Sequence, residues 1–293
     1  MQQNYSAIPP RLAVVIATCR RDTLLFERCL PSIANQKRQP ELVLVVDDGR
    51  DDDGLCLRVE AWGAAHRINI SVLANQRTPG ASGAWNTAIY ALASDKSGLG
   101  PWQVAFLDDD DAWLPDHLDE VASAFDDSAL WCATGFERVT QKGRRPISPP
   151  ERVSPEAFLV GNPGIQGSNL AAELELLQLA GGFDEALAAC TDRDLCIRLS
   201  RLAGDRYRAR SSVTVRHFAC EDRQRLSSFG DSRRLAGLAA FERKHSPLMA
   251  PMTLKAFRER AERYFGYRPS EAEYAKPVPS PGVLSALTDK PQA

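Results

Sequence analysis

Four consecutive aspartates, Asp108 to Asp111, are the densest group of chemically capable side chains in the sequence. They follow the apolar run VAFL at residues 104–107, so they lie where a buried strand should end. Because alternate residues of a strand point to the same side, Asp108 and Asp110 can direct two carboxylates into one site. Carboxylate oxygens suit Mg²⁺ or Mn²⁺, which take further ligands from phosphates and water. The cluster predicts a divalent cation site, and a solvated acidic loop is the alternative.

The elements that must position this cluster alternate between strands and helices. Short β-rich apolar runs occupy residues 12–17, 42–47, 68–73 and 104–107, and segments with helical spacing separate them. This order is typical of βαβ units, so we predict an α/β fold with a mostly parallel sheet flanked by helices. In such sheets ligands bind beyond the carboxyl ends of the strands, which is where Asp108 lies.

Prolines and capping residues predict where the helices begin and break. Pro31 should kink or divide the helix between the first two strands. Ser82 is expected to cap a later helix, and Pro115 to lie in the first turn of the helix after the aspartates. Residues 231–266 have the pattern of a charged amphipathic helix with a break near Pro247, and a Pro-rich tail follows them.

Composition excludes several classes of partner. The 36 Lys and Arg against 38 Asp and Glu give a net charge of −2, so no global basic field attracts nucleic acid. The seven cysteines include no CxxC pair, and their odd number disfavours a complete disulfide framework, so a reducing cytoplasm is expected. No stretch approaches 18 uninterrupted apolar residues, so membrane contact is expected to be peripheral at most.

The residues after the first two strands carry a family resemblance. The segments ATCRR at residues 17–21 and VVDDGR at residues 45–50 resemble those of the nucleotide-sugar-dependent glycosyltransferases of the inverting GT-A type, family 2, and the resemblance extends roughly over residues 11–225. It implies a GT-A type, Rossmann-like fold in which Asp48 contacts the donor base, taken as uracil. A carboxylate can accept the imide N–H of uracil, and capping of local amides is the alternative. The nucleotide-binding residues implied here are Ala17, Thr18, Arg20, Asp47 and Asp48.

The Gly-rich segment NQRTPGASGAWN at residues 75–86 is similar to the stretch that lies near the nucleotide in this family. The resemblance implies that Gly80 permits close backbone approach and that Asn86 lies near the donor. An ordinary side-chain hydrogen bond at a helix start is the alternative for Asn86. Trp85 stands where many family members have arginine, which weakens any basic donor contact there.

The aspartate cluster is similar to the DxD segment of the family. The resemblance implies that Asp110 is the principal metal ligand and that Asp108 lies beside the ribose or the metal. Asp109 or Asp111 is expected to support donor binding through water. The strand SSVTVRHF at residues 211–218 resembles the closing strand in which a histidine often completes the metal shell, so His217 is the third expected ligand. Two phosphates require a cation beside these carboxylates, so the cluster and the inferred donor explain one another.

The second half of the chain is expected to supply the general base. GGFDE at residues 181–185 and ACTDRDL at residues 189–195 resemble acceptor-side segments, and the matching position makes Asp192 the implied base. A helix N-cap is the alternative reading of Asp192. Asp194 is expected to support the helix start or the acceptor pocket. The charged residues 219–228 are expected to form a lid, with Arg216 or Arg223 meeting the diphosphate.

Together these features predict a metal-dependent transferase with a nucleoside diphosphate sugar as donor and a hydroxyl-bearing acceptor of unknown class. Residues 1–230 are expected to form the GT-A domain, with a donor half at about 11–130 and an acceptor half at about 131–230, and residues 231–293 a helical extension with a Pro-rich tail. A non-catalytic nucleotide-binding module is the main alternative. A nucleotidylyltransferase is disfavoured because IATCRRDTLL, at residues 16–25, lacks the glycines that cradle a triphosphate.

Overall fold

A computed structural model describes residues 9–49, 54–219 and 229–269, and a single mixed sheet runs through it. The first four strands are all parallel, in the order β3-β2-β1-β4. Their bounds are β1 Arg11–Thr18, β2 Leu42–Asp47, β3 Ile70–Ala74 and β4 Trp102–Asp108. Each of these strands matches one predicted run, with ends that differ by at most two residues. All four carboxyl ends therefore meet at one edge of the sheet.

The sheet continues beyond β4 with strands of both directions. The added strands are β5 Ala112–Trp113, β6 Trp131–Thr140, β7 Gly143–Ile147, β8 Leu170–Glu173 and β9 Tyr207–Phe218. The order is β4-β8-β6-β9-β5, and β7 pairs with β6 as a hairpin. Strand β8 is antiparallel to β4 and β6, whereas β6 and β9 are parallel. Residues from both halves of the chain thus share one sheet.

Helices cover both faces of this sheet. Their bounds are α1 Asp22–Leu24, α2 Leu30–Ala34, α3 Gly54–His66, α4 Ala81–Ala93, α5 His117–Asp126, α6 Ala157–Val160, α7 Leu174–Ala180, α8 Thr191–Ala203, α9 Ser232–His245 and α10 Pro251–Phe265. Successive residues of β4 enter opposite cores, with Val104 and Phe106 in one and Ala105 and Leu107 in the other. A strand that is buried on both faces explains the continuous apolar run before the aspartates.

The interruption expected at Pro31 is confirmed. A π-helical segment, Leu25–Cys29, separates α1 from α2, and Pro31 lies in the first turn of α2. Proline has no N–H to donate, so it fits the beginning of a new helical segment better than the interior of a continuous one.

Two predicted helix starts are wrong by two residues. The N-cap of α4 is Gly80, with φ 121°, and Ser82 is buried inside the helix. The chain turns tightly here, since a Cβ on Gly83 would lie 1.9 Å from the carbonyl oxygen of Thr78. Pro115 precedes α5, whose N-cap is Asp116.

The amphipathic helix expected after residue 231 is present, and its break near Pro247 is confirmed. A 3-10 turn, Ser246–Leu248, joins α9 to α10. Phe241 of α9 and Phe257 of α10 belong to the same core as the acceptor-side helices. The domain division at residue 230 stays a prediction, and the tail from residue 270 lies outside the described residues, as does nearly all of the expected lid. Among the helices of the described ranges, none is long and apolar enough to cross a bilayer.

Candidate active site

The predicted strand-end residues of β1, β2 and β4 are neighbours across the sheet. Ala17 is paired in register with Asp108, and Thr18 with Asp47. The backbone N–H of Asp48 donates to the carbonyl oxygen of Thr18 at 2.8 Å. The parallel arrangement therefore gathers the nucleotide-side residues and the aspartate cluster at one edge, as ligand sites of open α/β sheets require.

Asp109 is fully buried and is held by residues at the end of β1. The hydroxyl of Thr18 donates to Asp109 Oδ2 at 2.7 Å, and the guanidinium of Arg21 reaches Asp109 Oδ1 at 2.6 Å. Burial raises the pKa of Asp109 to about 6, although the charge of Arg21 opposes this shift. Asp109 thus connects the buried side of the cluster to the residues that follow β1.

Arg21 is a site residue that the sequence reasoning did not single out. It also contacts Asp110, with Nη1 2.9 Å from Oδ2, so one guanidinium spans two carboxylates. Arg28 donates to the backbone carbonyl oxygen of Asp110 at 2.7 Å. The available signal was the basic residue after β1, but the resemblance directed attention to Arg20. Arg20 is instead exposed, and within the described ranges it donates to the Gly49 carbonyl at 3.3 Å.

Asp111 connects the cluster to the closing strand β9. Its buried carboxylate accepts a hydrogen bond from Ser168 at 2.6 Å and from the backbone N–H of Phe218 at 3.1 Å. His217 Nδ1 lies 3.0 Å from Asp111 Oδ2. The structure therefore brings His217 to the cluster, beside Asp111. Ser168 was also missed, because its segment carried no signal beyond its acceptor-side resemblance.

Asp108, Asp110 and Asp111 offer the best-placed metal ligands among the described residues, with one oxygen from each lying within 4.8 Å of the others. Burial raises the pKa of Asp108 well above its usual value, and the neighbouring negative charges of Asp111, Asp110 and Asp192 add to this effect. The set consists of hard oxygen donors whose mutual repulsion a cation would relieve, so it fits Mg²⁺ or Mn²⁺.

The route by which these ligands converge differs from the strand alternation that we assumed. Strand β4 ends at Asp108, and the backbone N–H of Asp111 donates to the Asp108 carbonyl oxygen at 3.1 Å. This turn folds the chain back and adds Asp111 to the pair predicted from sequence. Turn geometry is set by the local backbone and was not visible in the residue spacing.

Asp192 lies in the first turn of α8, and its charge acts on Asp108. The N-cap of α8 is Cys190, a left-handed residue with φ 64°, so the N-cap alternative for Asp192 is wrong. Thr191 donates to Asp192 Oδ1 at 3.2 Å. The charge of Asp192 contributes to the raised pKa of Asp108, so the acceptor-side carboxylate interacts electrostatically with the residue that ends β4.

Asp48 holds the loop that precedes α4. Its carboxylate accepts from Asn75 Nδ2 at 2.7 Å and from the backbone N–H of Gly80 at 2.6 Å. These contacts match the local-amide alternative. Asp48 is only half-buried and Asp47 is buried beside it, and the base-contact role of both stays a prediction.

Asn86 connects α4 to the GGFDE turn. Its side-chain oxygen accepts from the backbone N–H of Phe183 at 2.8 Å, and its nitrogen donates to the Phe183 carbonyl at 2.9 Å and to Glu185 at 2.7 Å. This is the hydrogen-bonding alternative named for Asn86, and its nucleotide role stays a prediction. A Cβ on Gly182, which has φ 68°, would lie 2.4 Å from Asn86 Oδ1, so the turn requires glycine there.

Trp85 fills the space behind the cluster. Its ring packs against Phe106 and Phe183, with ring centroids 5.8 Å and 4.6 Å away. A Cβ on Gly167 would lie 3.1 Å from the Trp85 ring and 3.6 Å from Asp108 Oδ1. Trp85 therefore forms an apolar wall close to the carboxylate of Asp108.

Comparison with known proteins identifies the family. The family model described as glycosyl transferase family 2 matches residues 13–171. The succinoglycan biosynthesis protein ExoW of Rhizobium meliloti (strain 1021) is 32% identical over 128 residues, which cover 42% of this chain and 37% of that protein. The match thus spans little more than a third of that relative's length.

The fold is shared with solved glycosyltransferase structures. TarS 1–349 of S. aureus, in complex with UDP-GlcNAc, superposes with a TM-score of 0.61 at 18% identity, covering 87% of this chain and 73% of that one. The mannosyltransferase PcManGT from Pyrobaculum calidifontis, in complex with GDP-Man and Mn²⁺, gives a TM-score of 0.57 at 19% identity, covering 88% and 72%. At this identity the likeness establishes the GT-A fold alone.

Proposed function

We propose that this chain, which belongs to glycosyl transferase family 2, moves a sugar from a UDP-sugar to an acceptor hydroxyl with inversion at the anomeric carbon. The transfer depends on Mn²⁺ or Mg²⁺. The observation that carries the proposal is the convergence of the carboxylates of Asp108, Asp110 and Asp111, with the charge of Asp192 acting on Asp108. One edge of the sheet thus combines a candidate cation site with a candidate base.

The donor is assigned from the chemistry of the site and supported by the relatives. Asp110 and Asp108 would hold the cation, with His217 or Asp111 completing the set. When bound, the cation offsets the negative charge of the diphosphate. The structures of TarS and PcManGT contain UDP-GlcNAc and GDP-Man respectively, so two proteins that share this fold bind nucleotide sugars. Uracil is proposed for this chain because the Asp48 carboxylate can accept its imide N–H.

The chain's own residues perform the remaining steps. Asp192 accepts the proton of the acceptor hydroxyl. The acceptor oxygen attacks the anomeric carbon and displaces the nucleoside diphosphate. Arg21 and Thr18 hold Asp109, and through it the turn that carries the ligands. Direct displacement requires no covalent intermediate with the enzyme, so a single carboxylate base is sufficient.

Nucleotide-dependent thermal stabilisation tests the donor site. The melting temperature is measured with UDP, GDP, CDP and dTDP, each with and without Mn²⁺. Ligand at about one hundred times its dissociation constant adds about 2.7 kcal/mol, so a shift of about 5 °C or more is expected with UDP and Mn²⁺ together. Asp110→Asn should lose this shift.

Asp116→Asn is the matched control, because Asp116 lies just beyond the cluster and forms an exposed ion pair with Lys37. It should keep the full shift. A wild-type protein that shows no shift with any nucleotide, or an Asp110→Asn variant with an unchanged Mn²⁺-dependent shift, would contradict the proposal. Release of free sugar from a UDP-sugar would separate an enzyme from a non-catalytic binding module.

The proposal also includes the cellular compartment of the protein and the chemical class of its acceptor. The six cysteines of the described ranges are free thiols, which fits the cytoplasm that we propose. The acceptor is proposed to be a hydroxyl-bearing molecule, and peripheral contact with a membrane is compatible with it.

A further inference from the structure

A row of basic residues crosses three strands beside the candidate metal site. Arg145 of β7 is paired directly with Arg138 of β6, and Arg138 is paired with His217 of β9. Directly paired residues of neighbouring strands point to the same face of a sheet. The three side chains Arg145, Arg138 and His217 therefore form one line that leads away from the aspartates.

The two arginines of this row are exposed and carry no hydrogen bond or ion pair to any residue within the described ranges. Like charges directly opposite on antiparallel strands destabilise the pairing. The opposite face of the same hairpin shows the contrast. There Arg144 and Arg216 both contact Glu137, at 3.4 Å and 3.0 Å. On one face a carboxylate thus lies between two arginines, whereas on the other the described residues offer no carboxylate to Arg138 and Arg145.

The position of the row relative to the candidate metal site indicates which substrate the arginines could bind. His217 lies 3.0 Å from Asp111, so the row begins at the metal-binding cluster. Neighbouring strands are about 4.8 Å apart, which puts the backbone of Arg138 about 5 Å and that of Arg145 about 10 Å beyond His217. A group bound by both arginines would lie outside the position proposed for the donor diphosphate, on strands of the acceptor half.

We infer that Arg138 and Arg145 form an anion subsite that binds a phosphate group carried by the acceptor, an inference that rests on the proposed function. Guanidinium groups donate planar pairs of hydrogen bonds, and a phosphate offers several acceptor oxygens and enough charge to bridge two of them. Binding would also remove the repulsion between the two arginines. The acceptor class is thereby narrowed to phosphate-bearing molecules.

Calorimetric titration of glycerol 3-phosphate tests the inference, with UDP and Mg²⁺ present throughout to fill the donor site. The double variant Arg138→Gln/Arg145→Gln is expected to bind the probe about tenfold or more weakly than the wild type, because charge-assisted hydrogen bonds are lost. Arg144→Gln, in the same hairpin but on the other face, should bind within about twofold of the wild type. UDP affinity should be the same in all three proteins.

Each arm has an outcome that would overturn the inference. Equal probe binding by the wild type and the double variant would do so, as would loss of UDP affinity in the double variant, since the arginines would then serve the donor. Wild-type protein that binds UDP but not the probe would overturn the subsite and leave the proposed function standing. Wild-type protein that fails to bind UDP would instead refute the proposed function, and the subsite with it.

A vesicle arm separates two sources of the same phosphate chemistry. Vesicles of phosphatidylglycerol and phosphatidylcholine are compared with phosphatidylcholine alone, in a sedimentation assay of the wild type and the double variant. Anionic-vesicle binding that requires both arginines assigns the phosphate to a lipid-borne acceptor, whereas probe binding without vesicle binding assigns it to a soluble one. The melting temperature of the double variant should equal or exceed that of the wild type, because its substitutions remove a like-charge pair.

Discussion

At the residue scale, the carboxylate of Asp192 is the group whose removal separates binding from chemistry. Asp192→Asn keeps the size and the helix position of the side chain but removes the proton acceptor. Turnover is expected to fall by about 10²–10⁴-fold, the usual contribution of a general base. The affinity for UDP with Mn²⁺ should stay unchanged. Initial rates and nucleotide titrations measure the two quantities.

Asp205→Asn serves as its control, because Asp205 is an exposed carboxylate just beyond the opposite end of α8. It should alter neither rate nor affinity. Near-normal turnover of Asp192→Asn would refute its assignment as the base, and loss of UDP affinity would show a binding role instead.

Arg21 is expected to matter for stability through Asp109. Arg21→Met would leave the fully buried Asp109 without its cation. Because the Arg21 side chain is itself 36% exposed, the expected loss is about 2 kcal/mol, below the full cost of breaking a buried pair. Urea unfolding should show this loss. The exposed neighbour Arg20 provides the matched variant, since Arg20→Met should change stability by no more than about 0.5 kcal/mol. Equal effects of the two substitutions would show that Arg21 does not support the cluster.

At the element scale, Asp194 connects α8 to α9. Its buried carboxylate accepts hydrogen bonds from His245 Nε2 at 2.9 Å and Arg198 Nη2 at 2.6 Å, and lies 2.6 Å from Lys244 Nζ. Burial would raise the pKa of Asp194, but the hydrogen bond from His245 and the charges of Arg198 and Lys244 hold it well below its usual range. The carboxylate of Asp194 therefore joins α8 to α9, and its expected support of the helix start or the acceptor pocket stays a prediction.

Asp194→Asn is expected to lower the free energy of unfolding by about 3 kcal/mol, because it leaves buried cationic partners without their carboxylate. Chemical denaturation at pH 7 measures the change, with Asp205→Asn as the reference substitution. A loss smaller than about 1 kcal/mol would mean that apolar packing around Phe241 and Phe257 docks α9 and α10 without this network.

The strands could be predicted from sequence more accurately than the helix starts. Each of the strands β1 to β4 was predicted from an apolar run within two residues of its bounds, and burial made these runs nearly continuous. The start of α4 depends on the backbone of Gly80 and on the contact between Gly83 and Thr78, which no local capping rule contains. Similarly, Asn86 was recognised as polar and significant, but its partner Phe183 lies 97 residues away.

At the scale of the whole molecule, the site is formed by distant parts of one sheet. The aspartates could be found from the sequence alone, because four consecutive carboxylates directly after a buried strand are rare. Arg21 and Ser168 could not, since their importance arises only when β1, β4 and the segment before β8 meet. The row of Arg138, Arg145 and His217 likewise depends on strand register.

His117 makes the stability of the whole fold depend on pH. Its ring is buried, stacks on Trp113 at 4.1 Å between centroids, and has Nδ1 2.9 Å from the hydroxyl of Thr214. Burial lowers its pKa from 6.5 to about 3. Between these pH values the unfolded chain binds a proton at His117 and the folded chain does not. The contribution of His117 to the free energy of unfolding is therefore fully present above pH 6.5 and is lost as pH decreases towards 3.

Between pH 7 and pH 5 this single group should cost about 2 kcal/mol of unfolding free energy. Urea denaturation at the two pH values measures the loss, and His117→Gln should lose about 2 kcal/mol less than the wild type over the same interval. His66→Gln, at an exposed histidine, is the control and should keep the wild-type dependence. If His117→Gln and the wild type lose the same free energy, the buried ring accepts its proton in the folded state, and the acid sensitivity of the fold must arise at other groups.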